Sequence, residues 1–109
     1  PALYGAYHQI LPIRYPLNAI RYYKVDVVGP ICESADFFAK DRILPKVKEG
    51  DFLAIMGCGA YGFSMASNYN SRCRPAEVMV KDKEMYLIRE RENYSDLIAK
   101  ENIPTFLRI

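Results

Sequence analysis

The chain has 109 residues, of which 50% are apolar and 26% are charged. These proportions exclude disordered and fibrous classes, and the length allows a single domain that buries roughly two-thirds of its unfolded surface. Fifteen basic and thirteen acidic residues leave a net charge of +2, which is too small to predict nucleic acid or an anionic membrane as a partner. No run approaches the roughly 18–20 apolar residues that cross a bilayer.

Short apolar segments between turn residues predict mainly strands in the first part of the chain. We expect a strand over residues 7–13, ended by Pro12 and by the Arg-Tyr-Pro stretch at 14–16. Residues 22–28 alternate, with apolar side chains on one face and Lys24 and Asp26 on the other. Such alternation is typical of a half-buried strand.

A helix and another strand are predicted next. The helix follows Ser34, with Asp36 in its first turn, basic residues in its last turn and Pro45 as its end. That order of charges suits the helix dipole. Residues 52–56 are a continuous apolar run, as expected for a strand that is covered on both sides.

The last third of the chain predicts a hairpin and a second short helix. Residues 77–90 form the hairpin, with the polar residues 81–84 at its tip. The helix begins at Ser95 as its N-cap and ends before Pro104. Several short strands with two small helices predict a mainly-β fold, a Greek-key barrel or sandwich, for one domain over residues 1–109.

Residues 57–62 spell Gly-Cys-Gly-Ala-Tyr-Gly, a literal match to the dinucleotide-binding glycine motif. That motif needs a helix directly after it, whose N-terminus faces the pyrophosphate. Residues 67–71 form helices poorly, and Asp82 lies in a hairpin tip rather than near a ribose. We therefore interpret the glycines as a turn that presents Tyr61 and lets backbone approach a ligand.

The cysteines and the histidine indicate no metal site and no triad. Cys32, Cys58 and Cys73 contain no CxxC pair, which favours a reduced, cytoplasmic protein with packing roles for Cys58 and Cys73. His8 has no visible acid or nucleophile partner, so we interpret it as a structural histidine. The chain begins at Pro1 without a methionine, and we expect it to be a piece of a longer protein.

Three short clusters stand out as candidates for chemistry, at residues 1–4, 29–36 and 59–62. Gly-Pro before Cys32 and Glu33 favours a loop, which could turn both side chains toward one pocket although a strand would point them to opposite faces. Composition alone favours a packing role for the residues of each cluster, because a lone cysteine is usually buried and most tyrosines are packing residues.

Read together, PALY at 1–4, GPICESAD at 29–36 and EGDFLAIMGCGAYGFSMASNYNSRCRPAEVMV at 49–80 resemble the C-terminal part of the diaminopimelate decarboxylase family, fold-type III pyridoxal-phosphate enzymes. The resemblance covers almost the whole chain. It implies decarboxylation of meso-2,6-diaminopimelate to L-lysine, as part of lysine biosynthesis in the cytoplasm. It also implies an N-terminal (β/α)8 barrel, absent from this chain, and a homodimer whose subunits share their active sites.

The resemblance implies a role for four residues. Cys32 matches the family's proton-donor cysteine, and Glu33 matches the carboxylate that holds the distal amino group of the substrate; both reach the partner subunit's site. Tyr61 matches a tyrosine at the cofactor and substrate, and Tyr4 matches a substrate-contacting tyrosine. A carboxylate is a charge-assisted acceptor for an ammonium, and a phenol can donate to a phosphate oxygen.

Part of the family's machinery lies outside this sequence. The substrate-binding arginine, the cofactor's Schiff-base lysine and the phosphate loop are missing, and Lys24, Lys40 and Lys46 lie in segments unlike the cofactor lysine's. We therefore expect the isolated chain to be inactive. Two alternatives remain open: a related decarboxylase acting on ornithine or arginine, in which aspartate tends to replace Glu33, and a non-catalytic oligomerisation or ligand-binding module.

Overall fold

A computed structural model describes residues 3–14 and 21–108, which form two compact units, Pro1–Ala60 and Tyr61–Ile109. Strands dominate the first unit, and the second contains a strand pair, one short α-helix and two 3-10 turns among its described residues. The mainly-β class is therefore confirmed, and the described strands pair as three two-stranded antiparallel sheets. Residues 1, 2, 15 and 16, which belong to the N-terminal motif and to the expected end of the first strand, lie outside the described residues.

The first unit contains four strands in two pairs. The strands are β1 (Ile10–Pro12), β2 (Tyr22–Val28), β3 (Phe37–Pro45) and β4 (Leu53–Ile55). β1 pairs with β4, and β2 pairs with β3. The predicted bounds of β2 are confirmed, whereas β1 and β4 are shorter than the apolar runs that predicted them.

The core of the first unit lies where β1 approaches β3. Ile10, Ala39 and Leu44 are buried, and half-buried side chains of β2 and β4 pack against them. β4 is half-buried along its length, and the flanking Phe52 is 75% exposed. The expectation that residues 52–56 are covered on both sides is therefore wrong for this chain.

The helix predicted after Ser34 is also wrong, because residues 37–45 form strand β3. Ala39 pairs with Val27 and Arg42 pairs with Val25, so β3 carries an extra residue at this point. After such a bulge the side chains that point inward change from odd to even positions, so the sequence no longer alternates regularly between apolar and polar residues. Pairing with β2 satisfies the backbone groups of this segment, which outweighs the charge order that suggested a helix.

The second unit contains the predicted hairpin, formed by β5 (Glu77–Lys81) and β6 (Glu84–Arg89). Helix α1 (Tyr94–Ile98) follows, but its N-cap is Asn93 rather than Ser95. The Asn93 side chain accepts from the Ser95 and Asp96 amides, and Asp96 Oδ2 accepts from the Asn93 amide in return. No residue of this unit that the structure describes is buried.

Candidate functional site

The residues between β2 and β3 form a closed loop rather than a strand or a helix. The Gly29 amide donates to the Asp36 carbonyl at 2.9 Å, and the Asp36 amide donates to the Glu33 carbonyl at 2.9 Å. The Ile31 amide donates to Asp36 Oδ2 at 2.7 Å. Asp36 therefore holds both ends of the loop that carries Cys32 and Glu33.

Gly29 lies at the entrance of this loop, where a side chain would displace the Asp36 carboxylate. A Cβ on Gly29 would lie 2.1 Å from Asp36 Oδ1, well inside the limit for two non-bonded atoms. Sequence reasoning placed Asp36 in a helix and missed its role as the clamp of the loop. The Gly-Pro pair was the available signal, since it ends the strand and starts a turn.

Cys32 and Glu33 are both exposed on this loop. Glu33 Oε1 accepts a hydrogen bond from the Ala35 amide at 3.2 Å. One backbone contact orients the carboxylate and leaves acceptor capacity, because an ionised carboxylate has about four lone-pair sites. The loop conformation predicted for this pair is confirmed.

Tyr61 opens the second unit at a turn, and its side chain is 66% exposed. Its carbonyl accepts from the Met65 amide at 2.9 Å and from Ser64 Oγ at 3.4 Å. The first helix after the glycine motif in the described residues is the single 3-10 turn Tyr69–Ser71. Within the described residues, no α-helix therefore follows the glycine motif directly.

Tyr4 lies in the turn that opens the described chain, and its side chain is 74% exposed. The following Gly5 has a φ of +61°, a left-handed conformation that favours glycine. Tyr4, Cys32 and Glu33 belong to the first unit, whereas Tyr61 belongs to the second. No hydrogen bond described in the structure joins these four side chains.

The remaining candidates from the sequence have structural contacts. His8 Nδ1 donates to the Met56 carbonyl at 2.9 Å, and the His8 carbonyl accepts from Arg42 Nη1 at 2.7 Å. Cys58 Sγ donates to the Ile55 carbonyl at 3.0 Å. His8 therefore ties the segment before β1 to the end of β4, in agreement with the structural role expected of it.

The described residues contain neither a metal site nor a membrane-spanning helix. No group of three metal-ligating side chains occurs within 3–14 and 21–108. Within the same ranges, no helix has the length and apolar character needed to cross a bilayer.

Sequence reasoning missed a polar cluster in the second unit, formed by Asn68, Arg74 and Glu92. The Arg74 guanidinium beside Glu92 lowers the pKa of that carboxyl to about 2, chiefly through their side-chain hydrogen bond. The same hydrogen bond raises the pKa of Arg74 above its usual value. Arg74 and Glu92 are 18 residues apart, so no local pattern reveals the pair.

The first unit matches a known family. Residues 1–59 match the family described as pyridoxal-dependent decarboxylase, C-terminal sheet domain. The chain belongs to this family. The resemblance inferred from the motifs at residues 1–4 and 29–36 is thereby confirmed at the level of the family.

Relatives extend the similarity over both units. The chain is 54% identical over 107 residues to a diaminopimelate decarboxylase of Methanothermobacter thermautotrophicus, covering 98% of this chain and 25% of that protein. It resembles the crystal structure of the Methanocaldococcus jannaschii diaminopimelate decarboxylase with L-lysine, with a TM-score of 0.88 and 50% identity over 98% of this chain and 24% of that one. The Helicobacter pylori enzyme with L-lysine gives a TM-score of 0.82 and 46% identity, over 93% of this chain and 24% of that one.

The chain spans about a quarter of the length of these relatives. Its described residues supply few groups that fit pyridoxal phosphate. The exposed Tyr61 phenol can donate to a phosphate, and a Cβ placed on the nearby Gly59 would meet no atom within 4 Å. The Tyr61 phenol fits one hydrogen bond to a phosphate, and we expect the lysine that anchors the cofactor to lie outside this chain.

Proposed function

We propose that this chain is the C-terminal domain of a diaminopimelate decarboxylase, which converts meso-2,6-diaminopimelate to L-lysine and CO2 with pyridoxal phosphate. The observation that carries this proposal is the identity of about one half over 98% of the chain to relatives of that name. Two of the similar structures contain L-lysine, which is the product of the proposed reaction.

Cys32 is the proposed acid of this reaction. When bound, pyridoxal phosphate withdraws electrons from the α-carbon and so makes the loss of CO2 possible. The Cys32 thiol then returns a proton to that carbon: its S–H bond breaks, a C–H bond forms, and a thiolate remains that takes a proton from solvent. The support for this role is the exposed position of Cys32 on a loop that Asp36 holds in place.

Glu33 is the proposed acceptor for the distal ammonium of the substrate. Its carboxylate is exposed, and the Ala35 amide holds one of its oxygens. A carboxylate held by a backbone amide keeps its direction, which favours one substrate length over another. A hydrogen bond between the carboxylate and an ammonium is roughly twice as strong as a neutral one.

Tyr61 and Tyr4 are proposed to complete the binding site. The Tyr61 hydroxyl donates to the cofactor phosphate or to the substrate carboxylate, and Tyr4 contacts the substrate. Both side chains are exposed and lie in turns beside glycines, where a ligand can approach. Neither tyrosine is asked to move a proton at the reacting carbon.

The complete site requires other polypeptide. We propose that both units together form one C-terminal domain over residues 1–109, that an N-terminal (β/α)8 barrel of the same protein holds the cofactor, and that Cys32 and Glu33 reach a second subunit's site in a cytoplasmic homodimer. The support is that the four proposed contacts are all exposed in this chain. By itself the chain is expected to release no CO2.

The test is steady-state kinetics of the full-length protein with diaminopimelate, measured as CO2 release. Cys32→Ala is expected to lower kcat by about 10²–10⁴-fold, the range typical of a positioned acid. Ser34→Ala, which truncates an exposed side chain on the same loop, is the control and should leave kcat unchanged. An undiminished kcat for Cys32→Ala would remove this residue as the acid.

Glu33→Ala tests the proposed acceptor, and the wild-type rates on two substrates separate diaminopimelate decarboxylase from the ornithine-type alternative. The variant is expected to raise KM and to lower kcat/KM for diaminopimelate, because the distal ammonium loses its acceptor. The wild-type enzyme should turn over diaminopimelate much faster than ornithine. A faster reaction with ornithine would favour the alternative substrate, and no decarboxylation of either by the full-length protein would favour a non-catalytic module.

A further inference from the structure

The Glu92 carboxylate binds two residues, Asn68 and Arg74, of the segment that begins with Tyr61. Glu92 Oε2 accepts from Asn68 Nδ2 and from the Arg74 amide, both at 2.7 Å. Glu92 Oε1 accepts from Arg74 Nε at 2.7 Å and from Arg74 Nη2 at 2.5 Å. The side chain of Glu92 is only 16% exposed, so these contacts occupy most of the carboxylate.

The segment held in this way is locally strained. Asn70 and Ser71 have φ angles of +54° and +57°, and two consecutive left-handed residues without glycine are costly. Such a conformation persists only where its surroundings hold it. Asn68 and Arg74 flank the strained pair on its two sides, and Glu92 binds both of them.

The Glu92 contacts lead back to Tyr61 through Phe63. The Arg74 guanidinium lies over the Phe63 ring, 4.8 Å from its centroid. Phe63 belongs to the turn of Tyr61, in which the Ala66 amide donates to the Phe63 carbonyl at 3.0 Å and the Met65 amide donates to the Tyr61 carbonyl at 2.9 Å. Arg89 lies over the same ring at 4.1 Å, so a displaced Arg74 would remove one of the two guanidinium contacts that pack on this turn.

We propose that Glu92 is a positioning residue for Tyr61. By holding Asn68 and Arg74, it fixes residues 61–74 in the conformation that presents the Tyr61 phenol to its ligand. This inference rests on the proposed function of Tyr61 at the cofactor and substrate. Glu92 itself touches no reacting group.

Hydrogen exchange of the full-length protein tests the mechanical part of the proposal without any activity measurement. Glu92→Gln keeps the shape of the side chain but places an amide donor against the donors of Asn68 or Arg74. The Met65, Ala66 and Arg74 amides are expected to exchange at least about tenfold faster, since their hydrogen bonds open more often. Unchanged exchange at these amides would overturn the proposal.

The matched control is Glu84→Gln on strand β6. Glu84 accepts a hydrogen bond from the Tyr86 hydroxyl, and the structure describes no contact between Glu84 and residues 61–74. The control makes the same change of charge and of side-chain chemistry at an exposed carboxylate. Equal acceleration at residues 61–74 in both variants would show a general loss of stability and would contradict a specific role of Glu92.

A double-mutant cycle tests whether Glu92 acts through Tyr61. Glu92→Gln is expected to raise KM for diaminopimelate about fivefold or more while kcat changes less than about twofold. In the Tyr61→Phe enzyme the same change should raise KM by less than about twofold, because the hydroxyl that Glu92 positions is already gone. Equal effects in both backgrounds would assign Glu92 a purely structural role and would refute the inference.

Asn68→Ala serves where Glu92→Gln does not fold. It removes the hydrogen bonds of Asn68 to Glu92 and to the Arg72 carbonyl and leaves the Arg74 pair in place, and the same cycle with Tyr61→Phe is then measured. A wild-type enzyme that releases no CO2 from diaminopimelate contradicts the proposed function alone. The exchange of the Met65 and Ala66 amides then still decides whether Glu92 holds the Tyr61 turn.

Discussion

The two units of this chain hold their candidate residues by different means. In the first, the Cys32 and Glu33 loop joins two strands that pack on the buried side chains Ile10, Ala39 and Leu44. In the second, no described residue is buried, and the Tyr61 segment is held by hydrogen bonds and guanidinium–ring contacts around Glu92 and Phe63. Apolar burial therefore stabilises the first unit, and polar contacts stabilise the second.

The β5–β6 hairpin of the second unit has exposed apolar side chains, unlike the buried core of the first unit. Its apolar side chains are exposed on both faces, from 46% at Tyr86 to 78% at Met85. Arg89 lies over Phe63 at 4.1 Å and pairs with Glu77, which adds to the polar support. A hairpin with no covered face is marginal in water. This agrees with the proposal that the chain works as part of a larger protein that covers it.

The largest expected effect compares a leucine of each unit in the 109-residue chain. Leu44 is 4% exposed and Leu87 is 61% exposed. Leu44→Ala should lower the free energy of unfolding by about 2–5 kcal/mol, the usual cost of a core cavity. Leu87→Ala should change it by no more than about 0.5 kcal/mol. Denaturant unfolding measures both, and equal losses would show that the hairpin is covered and the contrast is false.

A smaller effect is expected from the glycine that enters the Cys32 loop. Gly29→Ala forces Asp36 away from the Ile31 amide, and loss of that partner should lower the free energy of unfolding by about 1–3 kcal/mol. Gly59→Ala is the control, because a Cβ there meets no atom within 4 Å. Thermal unfolding of both variants gives the comparison. Equal stability of the two would mean that Asp36 does not hold the loop.

The smallest effect is a pH dependence confined to the second unit. The pKa of Glu92 is lowered to about 2 by Arg74, whereas an unfolded glutamate has a pKa near ~4.3. Its stabilisation is therefore fully present above pH ~4.3 and is lost as the pH falls toward about 2. The difference in unfolding free energy between wild type and Glu92→Gln should shrink over that range. If this difference in unfolding free energy stays constant as the pH falls from ~5 to ~2, the lowered pKa of Glu92 is contradicted.

Local patterns predicted the elements whose contacts are local. Strand β2, the β5–β6 hairpin and a helix near residue 95 follow from alternation, a polar tip and a capping residue. The cap was misplaced by two residues, because both Asn93 and Ser95 can cap a helix. Strand β3 was missed, because a bulge opposite Val25 and Val27 removed its regular period.

For the candidate site, the motifs identified Cys32, Glu33, Tyr4 and Tyr61, and the turn signals predicted the loop that carries the first two. The groups that hold these residues in place were not visible. Asp36 binds the Ile31 amide only once the loop has closed, and Glu92 binds Asn68 across 24 residues. No alternation or motif in the sequence indicates either contact.

The amino-acid sequence by itself determined the family, the mainly-β class and the side chains offered for chemistry, because short motifs and strand alternation depend on neighbouring residues. Only the tertiary structure decided that residues 37–45 extend as a strand, that Asp36 closes its loop and that Glu92 holds the Tyr61 segment. Those outcomes depend on hydrogen bonds between groups that are apart in the sequence, and the free energy of such hydrogen bonds depends on the whole folded chain.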